Sequence, residues 1–346
     1  MNYKKVACSA LIGFAFGVAA GEYSNRAEVD EFVATMVNEH GFEASTVQAV
    51  LDQAVYQQGI IDAITRPAEK KPWISYRAIF VTPKRIEDGV QFARDNWVTL
   101  KSAEEEFGVP IEIIVAIIGV ETNYGRNMGS YRVLDALATL GFDYPPRAEF
   151  FRGQLEEFLI LSCEEKVEPF EADSACHREA AGGTLGTSVS IGDLVGSYAG
   201  AMGYGQFIPS SYRNFAIDYD GDGARDIWRN VVDAIGSISA YFKDHGWDRG
   251  EPVIAQVAVG ATAHSVDELA NSSLTPTKTI AEWKALGIET QDNRDHAYAS
   301  IFRFETEDAT NYYLGYHNFY VITRYNISRL YAKAVVEVAD GIAARL

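Results

Sequence analysis

Apolar residues recur at helical spacing along most of the 346-residue chain. Between 28 and 65, Val29, Phe32, Val33 and Met36, then Val47, Val50, Leu51 and Val55, follow a repeat of about 3.6 residues, which predicts two or three short helices. The run from Arg66-Pro67 to Pro72 breaks that pattern, and a turn follows at Thr82-Pro83. Helical periodicity returns over roughly 84–107, 110–124, 131–140, 147–165, 232–244 and 319–344. Residues 166–192 turn acidic and then rich in Gly, Thr and Ser, so 163–193 is expected to be a surface insertion. Pro252 to Val259 and Ala299 to Phe304 alternate as strands do, with a small helix between them at 279–286. The pattern predicts a mainly α fold (α+β): a helical body formed by 21–249 and 306–346, carrying a small α+β insert at 250–305.

One stretch, PIEIIVAIIGVETNYGRNMG from Pro110 to Gly129, places an acid where an acid is costly. Ile114, Ile117 and Ile118 form an apolar stripe, and Glu121 follows three and four residues after the last two, on the same face. Gly125 is a natural helix stop just beyond. A carboxyl against isoleucines loses hydration, which favours its neutral form and suits it to donate a proton near neutral pH. The alternative is a helix-end residue that snorkels or pairs with Arg126.

Composition, 47% hydrophobic and 12% aromatic, fits a globular protein with a full core. The net charge of −18 argues against nucleic acid or an anionic membrane as partner, since both need clustered Lys and Arg. Residues 1–20 have the layout of a signal peptide: Lys4 and Lys5, an apolar run from Val6 to Val18, then small residues before Gly21. The apolar run falls short of the ~20 residues of a spanning helix, so no transmembrane helix is expected in the mature chain. Cys8 comes too early for lipid attachment, so a lipid anchor is not supported. Export leaves Cys163 and Cys176, which an oxidising compartment could join as a disulfide. His177 lacks the rest of a metal ligand set.

Residues 218–226, DYDGDGARD, stand apart. Acids at positions 1, 3, 5 and 9 (Asp218, Asp220, Asp222, Asp226), with Gly at 6 and Ala224 at 7, have the spacing of a calcium loop. The twelfth position holds Arg229 instead of the closing Glu. The alternative is an uncompensated acidic turn. A structural Ca²⁺ is expected, and no organic cofactor.

Four words in order, GVETNYGRNMGSYRVLDALATLGFDYPPRAEFF, GSYAGAMGYGQFIPSSY, DAIGSISAYFKDHGW and NFYVITRYNISRLYAKAV, resemble the membrane-bound lytic transglycosylase B family. The resemblance covers about residues 70–245 and 312–336. It implies a lysozyme-like helical body and a periplasmic enzyme. Such an enzyme cleaves the MurNAc–GlcNAc β-1,4 bond of peptidoglycan without water and leaves 1,6-anhydro-MurNAc ends. By that analogy Glu121 is the catalytic acid, and afterwards the base. Tyr76, Tyr241, Tyr325 and Tyr331 resemble residues lining the sugar groove. Ser197, Gln206 and Asn326 resemble polar groups near the scissile sugar. Arg147 occupies half of a basic pair, its neighbour being Pro146. Asp233, one residue later than expected, resembles the acid that closes the calcium site. A monomer acting on glycan strands is expected. A water-using muramidase on the same scaffold and a non-catalytic wall-binding protein remain the alternatives. Asp135 and Asp143 are candidates for a second carboxylate by sequence proximity only.

Overall fold

The computed structural model describes residues 21–66, 71–170, 185, 189–260 and 265–346. The expected signal peptide, most of the 163–193 segment and Cys176 lie outside the described residues. The fold class is the one the pattern predicts: a helical body with a small mixed insert.

The Ile111–Thr122 helix runs through the centre of the body. It packs against helices Arg329–Ala343, Pro83–Asp95, Trp97–Phe107 and Val231–Asp244. Its surroundings explain its composition. Of its twelve residues only Glu112 and Glu121 escape burial, so the apolar stripe read from the sequence is in fact a helix enclosed on all sides. The segment 28–65 forms three helices, Ala27–His40, Ala44–Leu51 and Gln58–Ile64.

Two expected long helices are each broken in two. The 84–107 region divides at Asn96, whose side chain bonds back to the Phe92 carbonyl. The expected helix at 319–344 divides into His317–Tyr325 and Arg329–Ala343. Asn326 is extended there, and Ser328 caps the second helix by accepting the Tyr331 N–H. Asn-x-Ser was the signal, since both residues favour caps over helix interiors.

Seven strands are present among the described residues. β1 (Tyr131–Arg132) and β2 (Val195–Gly196) pair antiparallel. β3 (Ile254–Val259), β4 (Lys278–Thr279), β5 (Ile288–Glu289), β6 (Tyr298–Glu305) and β7 (Thr310–Gly315) form one sheet in the order β4-β6-β7-β3-β5, every neighbouring pair antiparallel. The sheet therefore runs to Gly315, and 306–315, assigned to the helical body on pattern, contains a central strand. β6 shows why both cores hold. Ala299 and Ile301 join Trp283, Ile280 and Val266 in the insert's own core, while Phe302 and Phe304 project into the helical body.

Cys163, at the end of the Ala148–Glu164 helix, is disulfide-bonded.

Candidate active site

The central helix ends one residue after Glu121. Asn123 and Tyr124 both take positive φ, 52° and 62°, and the Asn123 N–H closes onto Gly119 O. The stop expected at Gly125 thus falls earlier, at an asparagine, whose short polar side chain tolerates the left-handed region. Gly125 serves a different purpose. A Cβ there would lie 2.2 Å from Tyr204 Cε1, so its absence lets the 122–126 turn press against the GYGQF turn. Thr122 joins the same two turns: its hydroxyl lies 3.0 Å from Tyr204 O and accepts the Gly125 N–H at 3.0 Å.

Glu121 therefore sits where three segments meet. Its Oε1 accepts a hydrogen bond from the Tyr331 hydroxyl at 2.6 Å. Tyr331 is 2% exposed, on the helix that begins after the Asn326–Ser328 break. Tyr325 lies close enough for the Glu121 charge to bear on its phenol, and its own hydroxyl donates to Gly205 O. Gly205 has to be glycine for that approach, because a Cβ would meet the Tyr325 hydroxyl at 2.7 Å.

Burial pushes the Glu121 carboxyl up to about 7, against the opposing pull of the Tyr331 hydrogen bond. Glu121 as a whole residue is only half-buried, while its carboxyl is desolvated. It does not pair with Arg126, which instead binds Asp88 at 2.7 Å. Among the described residues no second acid acts on it. Asp135 accepts the Val55 N–H, and Asp143 is held by Arg26 and Tyr23. Tyr331→Phe removes the one interaction that favours the carboxylate. It is expected to raise the Glu121 pKa by about one unit, read by infrared or carbon NMR titration of the carboxyl.

A cavity of about 520 Å³ is lined by Tyr76, Phe80, Leu274, Asn326 and Ser328 among others; Asn326 and Leu330 bring it to the residues next to Tyr325 and Tyr331, and Glu121 itself does not line it. Tyr76 also bears electrostatically on Tyr331, which ties the cavity to the acid. A larger cavity of about 740 Å³, around Arg294, Tyr298 and Tyr316, contains none of the expected site residues.

The remaining candidates divide. Tyr76 and Asn326 face the cavity. Tyr241 is 6% exposed, gives its hydroxyl to Arg324 O at 2.7 Å and stacks on His245 at 3.9 Å, so it forms a wall behind Tyr325. Gln206, at φ 51°, donates its amide nitrogen to Met128 O and Gly203 O, which leaves its amide oxygen free to accept. The Ser197 Oγ accepts the N–H groups of Ala199 and Ala201. Arg147 is exposed and stacks over Phe150 and Phe151; no hydrogen bond or ion pair joins it to the cluster among the described residues.

In the second cluster, oxygens of Asp218, Asp220, Asp222 and Asp233 all lie within 4.8 Å of one another. Asp233 is fully buried. Desolvation pushes it up to about 6, with Asp220 and Asp218 adding to the rise, although it accepts the N–H groups of Tyr219 and Asp226. Nearby, Arg225 is committed to the buried Glu165. An oxygen-only donor set that converges this closely fits a hard cation of calcium's size.

A single desolvated acid at the end of a buried helix, tied through Tyr331 to an aromatic-lined cavity in a helical body, defines a lysozyme-like glycan-cleaving enzyme. Residues 24–340 match the transglycosylase SLT domain family, and the chain belongs to that family as a lytic murein transglycosylase. It is 38% identical over 341 residues to membrane-bound lytic murein transglycosylase B of Escherichia coli K12, covering 93% of this chain and 84% of that protein. The fold superposes on soluble lytic transglycosylase SltB1 of Pseudomonas aeruginosa with a TM-score of 0.81 at 45% identity, covering 92% of this chain and 98% of that one. It also superposes on the Escherichia coli lytic transglycosylase Slt35 in complex with calcium, TM-score 0.80 at 38% identity, covering 94% and 95% of the two chains.

Proposed function

We propose that this chain cleaves the MurNAc–GlcNAc β-1,4 bond of peptidoglycan and leaves a 1,6-anhydro-MurNAc end, with Glu121 acting first as acid and then as base. The observation that carries the reading is the solitary Glu121 carboxyl with its pKa raised to about 7. Protonated, it can donate to the glycosidic oxygen as the C1–O bond breaks and GlcNAc leaves. As a carboxylate it can take the C6 hydroxyl proton while O6 closes onto C1. The acid regains its proton and no water is consumed.

A hydrolase of either stereochemistry usually sets two carboxyls about 5–9.5 Å apart across the bond. The engagement of Asp135 and Asp143 elsewhere supports a nucleophile supplied by the sugar itself. Tyr76 and Asn326 are placed to bind sugar, and the free amide oxygen of Gln206 to accept an N–H such as that of an N-acetyl group. Ser197 serves as a turn staple whose hydroxyl proton remains available. Arg147 would meet only substrate that extends beyond the cluster.

The four aspartates and the Ala224 carbonyl would hold a structural Ca²⁺ below the GYGQF turn. Substrate chemistry and the layout of residues 1–20 favour the periplasm, and no helix among the described residues is long and apolar enough to cross a membrane. One chain supplies the whole cluster, which favours a monomer. The 250–305 segment serves as an insert on the helical body, and its sheet extends to Gly315.

Digestion of purified sacculi and mass measurement of the soluble products tests the reaction. Muropeptides lighter than the hydrolytic products by one water are expected. Ordinary reducing MurNAc ends would instead identify a muramidase, and an intact sacculus a non-catalytic protein.

A further inference from the structure

We propose that Arg329 is a substrate-binding residue that reads a carboxylate on the side arm of the muramyl sugar, with Lys71 as a second positive group on the same cavity. This rests on the glycan-cleaving reading above and names a specificity determinant for it.

The cavity that holds Tyr76 and Asn326 is also lined by Arg329 and Lys71, and among the described residues by no acid. That bias runs against the chain as a whole, which carries 48 acids and 30 Lys and Arg. Two cations, with no acid lining the cavity among the described residues, give that wall a positive bias, and wall charge of one sign concentrates ligands of the other.

Arg329 itself is unusual. Its Nε is buried and has no hydrogen-bond partner, and among the described residues no carboxylate forms an ion pair with it. The one acid that acts on it electrostatically, Glu305, is already paired with Arg303 at 3.4 Å. Burial is the main cost to the Arg329 charge, repulsion from Arg303 adds to it, and Glu305 offsets part of it from a distance. An arginine cannot relieve that cost by losing its proton. A guanidinium kept partly desolvated and unpaired costs stability unless something supplies the acceptor.

The reaction's substrate carries carboxylates suited to this. In glycan stripped of peptide, the lactyl arm of MurNAc ends in a free carboxylate. In peptide-bearing glycan the lactyl group is an amide and the stem peptide supplies the carboxylates. A carboxylate entering beside Asn326 would meet a planar fork that can bond it in two places. The aromatic and amide groups of the cavity would hold the sugar, and Arg329 would set which sugar. GlcNAc, with no acidic arm, offers nothing to it.

The test uses the full chain with Arg329→Gln, Arg329→Lys and Glu121→Gln/Arg329→Gln. Substrates are soluble peptide-bearing glycan, stem-free glycan, and stem-free glycan with its carboxyls methyl-esterified. Loss of one charge-assisted pair is expected to raise KM about tenfold for Arg329→Gln, with kcat within about twofold. Arg329→Lys should recover part of the loss, and the esterified glycan should not distinguish wild type from variant. An effect confined to stem-free glycan assigns the lactyl carboxylate; one confined to peptide-bearing glycan assigns the stem. Unchanged KM on both, or an equal loss on the esterified glycan, overturns the proposal. Calorimetric binding to Glu121→Gln with and without Arg329→Gln separates it from the reaction itself. Weaker binding in the double variant supports carboxylate recognition even if the wild type proves unable to cleave.

Discussion

Glu121→Gln will lower the rate of sacculus solubilisation by about 10²–10⁴-fold, the usual contribution of a general acid or base, while leaving glycan binding close to that of the wild type. The amide keeps the shape and can still accept the Tyr331 hydroxyl, but it can neither give nor take the transferred proton. For the wild type the same carboxyl sets the pH profile. Cleavage needs the neutral acid first, so kcat/KM should fall as pH rises through about 7.

Stability follows the same sign. The folded pKa lies above the unfolded value of 4.5, so the native state binds more protons between the two. Stability contributed by this group is full below 4.5 and is lost as pH climbs to about 7. Glutamine cannot ionise, so at pH 8 the variant should be the more stable protein, by about 2 kcal/mol once the residue's partial exposure is discounted. A variant that is inactive and also more heat-resistant at alkaline pH is the combination to look for in thermal scans. An inactive variant destabilised at every pH would instead mark Glu121 as a structural residue.

Why was so much of this site legible in the sequence, and why was part of it hidden? Glu121 announces itself because it is the one acid at the end of an otherwise apolar helix, and burial does the rest. The aspartate loop is legible as a cation-site candidate because its alternate acids with Gly at the sixth position have the spacing of a calcium loop. The apolar repeat runs on through Ile327 and Leu330 and so does not register the three-residue break at Asn326–Ser328, which only the capping chemistry of Asn-x-Ser signals. That break brings Asn326, Ser328 and Arg329 to the cavity wall together. Arg329 falls inside the expected 319–344 helix and carried no signal of its own. β7 was missed for a related reason: Asn311, Tyr312 and Tyr313 are only partly buried, so strict alternation is absent. Roles taken from resemblance met a different limit. Ser197 and Tyr241 direct their polar atoms to the backbone, a hydrogen-bond choice that sequence words do not record.

Calcium removal should be felt at the acid, although the two clusters share no ligand. The aspartate loop ends at Ile227, whose carbonyl accepts the Tyr204 N–H at 3.0 Å. Tyr204 packs against Gly125, and its carbonyl lies 3.0 Å from the hydroxyl of Thr122, the residue next to Glu121. Each link is short and each involves a backbone group, so loosening the loop loosens the turn that fixes the carboxyl. A bound Ca²⁺ would hold Asp218, Asp220, Asp222 and Asp233 at their present spacing and offset their mutual repulsion. At a hundred times its dissociation constant, a ligand that binds only the native state adds about 2.7 kcal/mol. For a chain of this size that corresponds to a rise of about 5 °C in Tm. Wild type in millimolar calcium should therefore melt about 5 °C above wild type in EGTA, with a parallel loss of sacculus-cleaving rate in the chelator. Asp220→Asn/Asp222→Asn should melt at one temperature in both buffers, because it lacks two of the four carboxylates. Magnesium should not replace calcium, since it prefers a tighter octahedral shell and gives up its waters reluctantly. Equal melting of the wild type in calcium and chelator would leave the aspartates as a bare acidic turn and sever the proposed route from metal to acid.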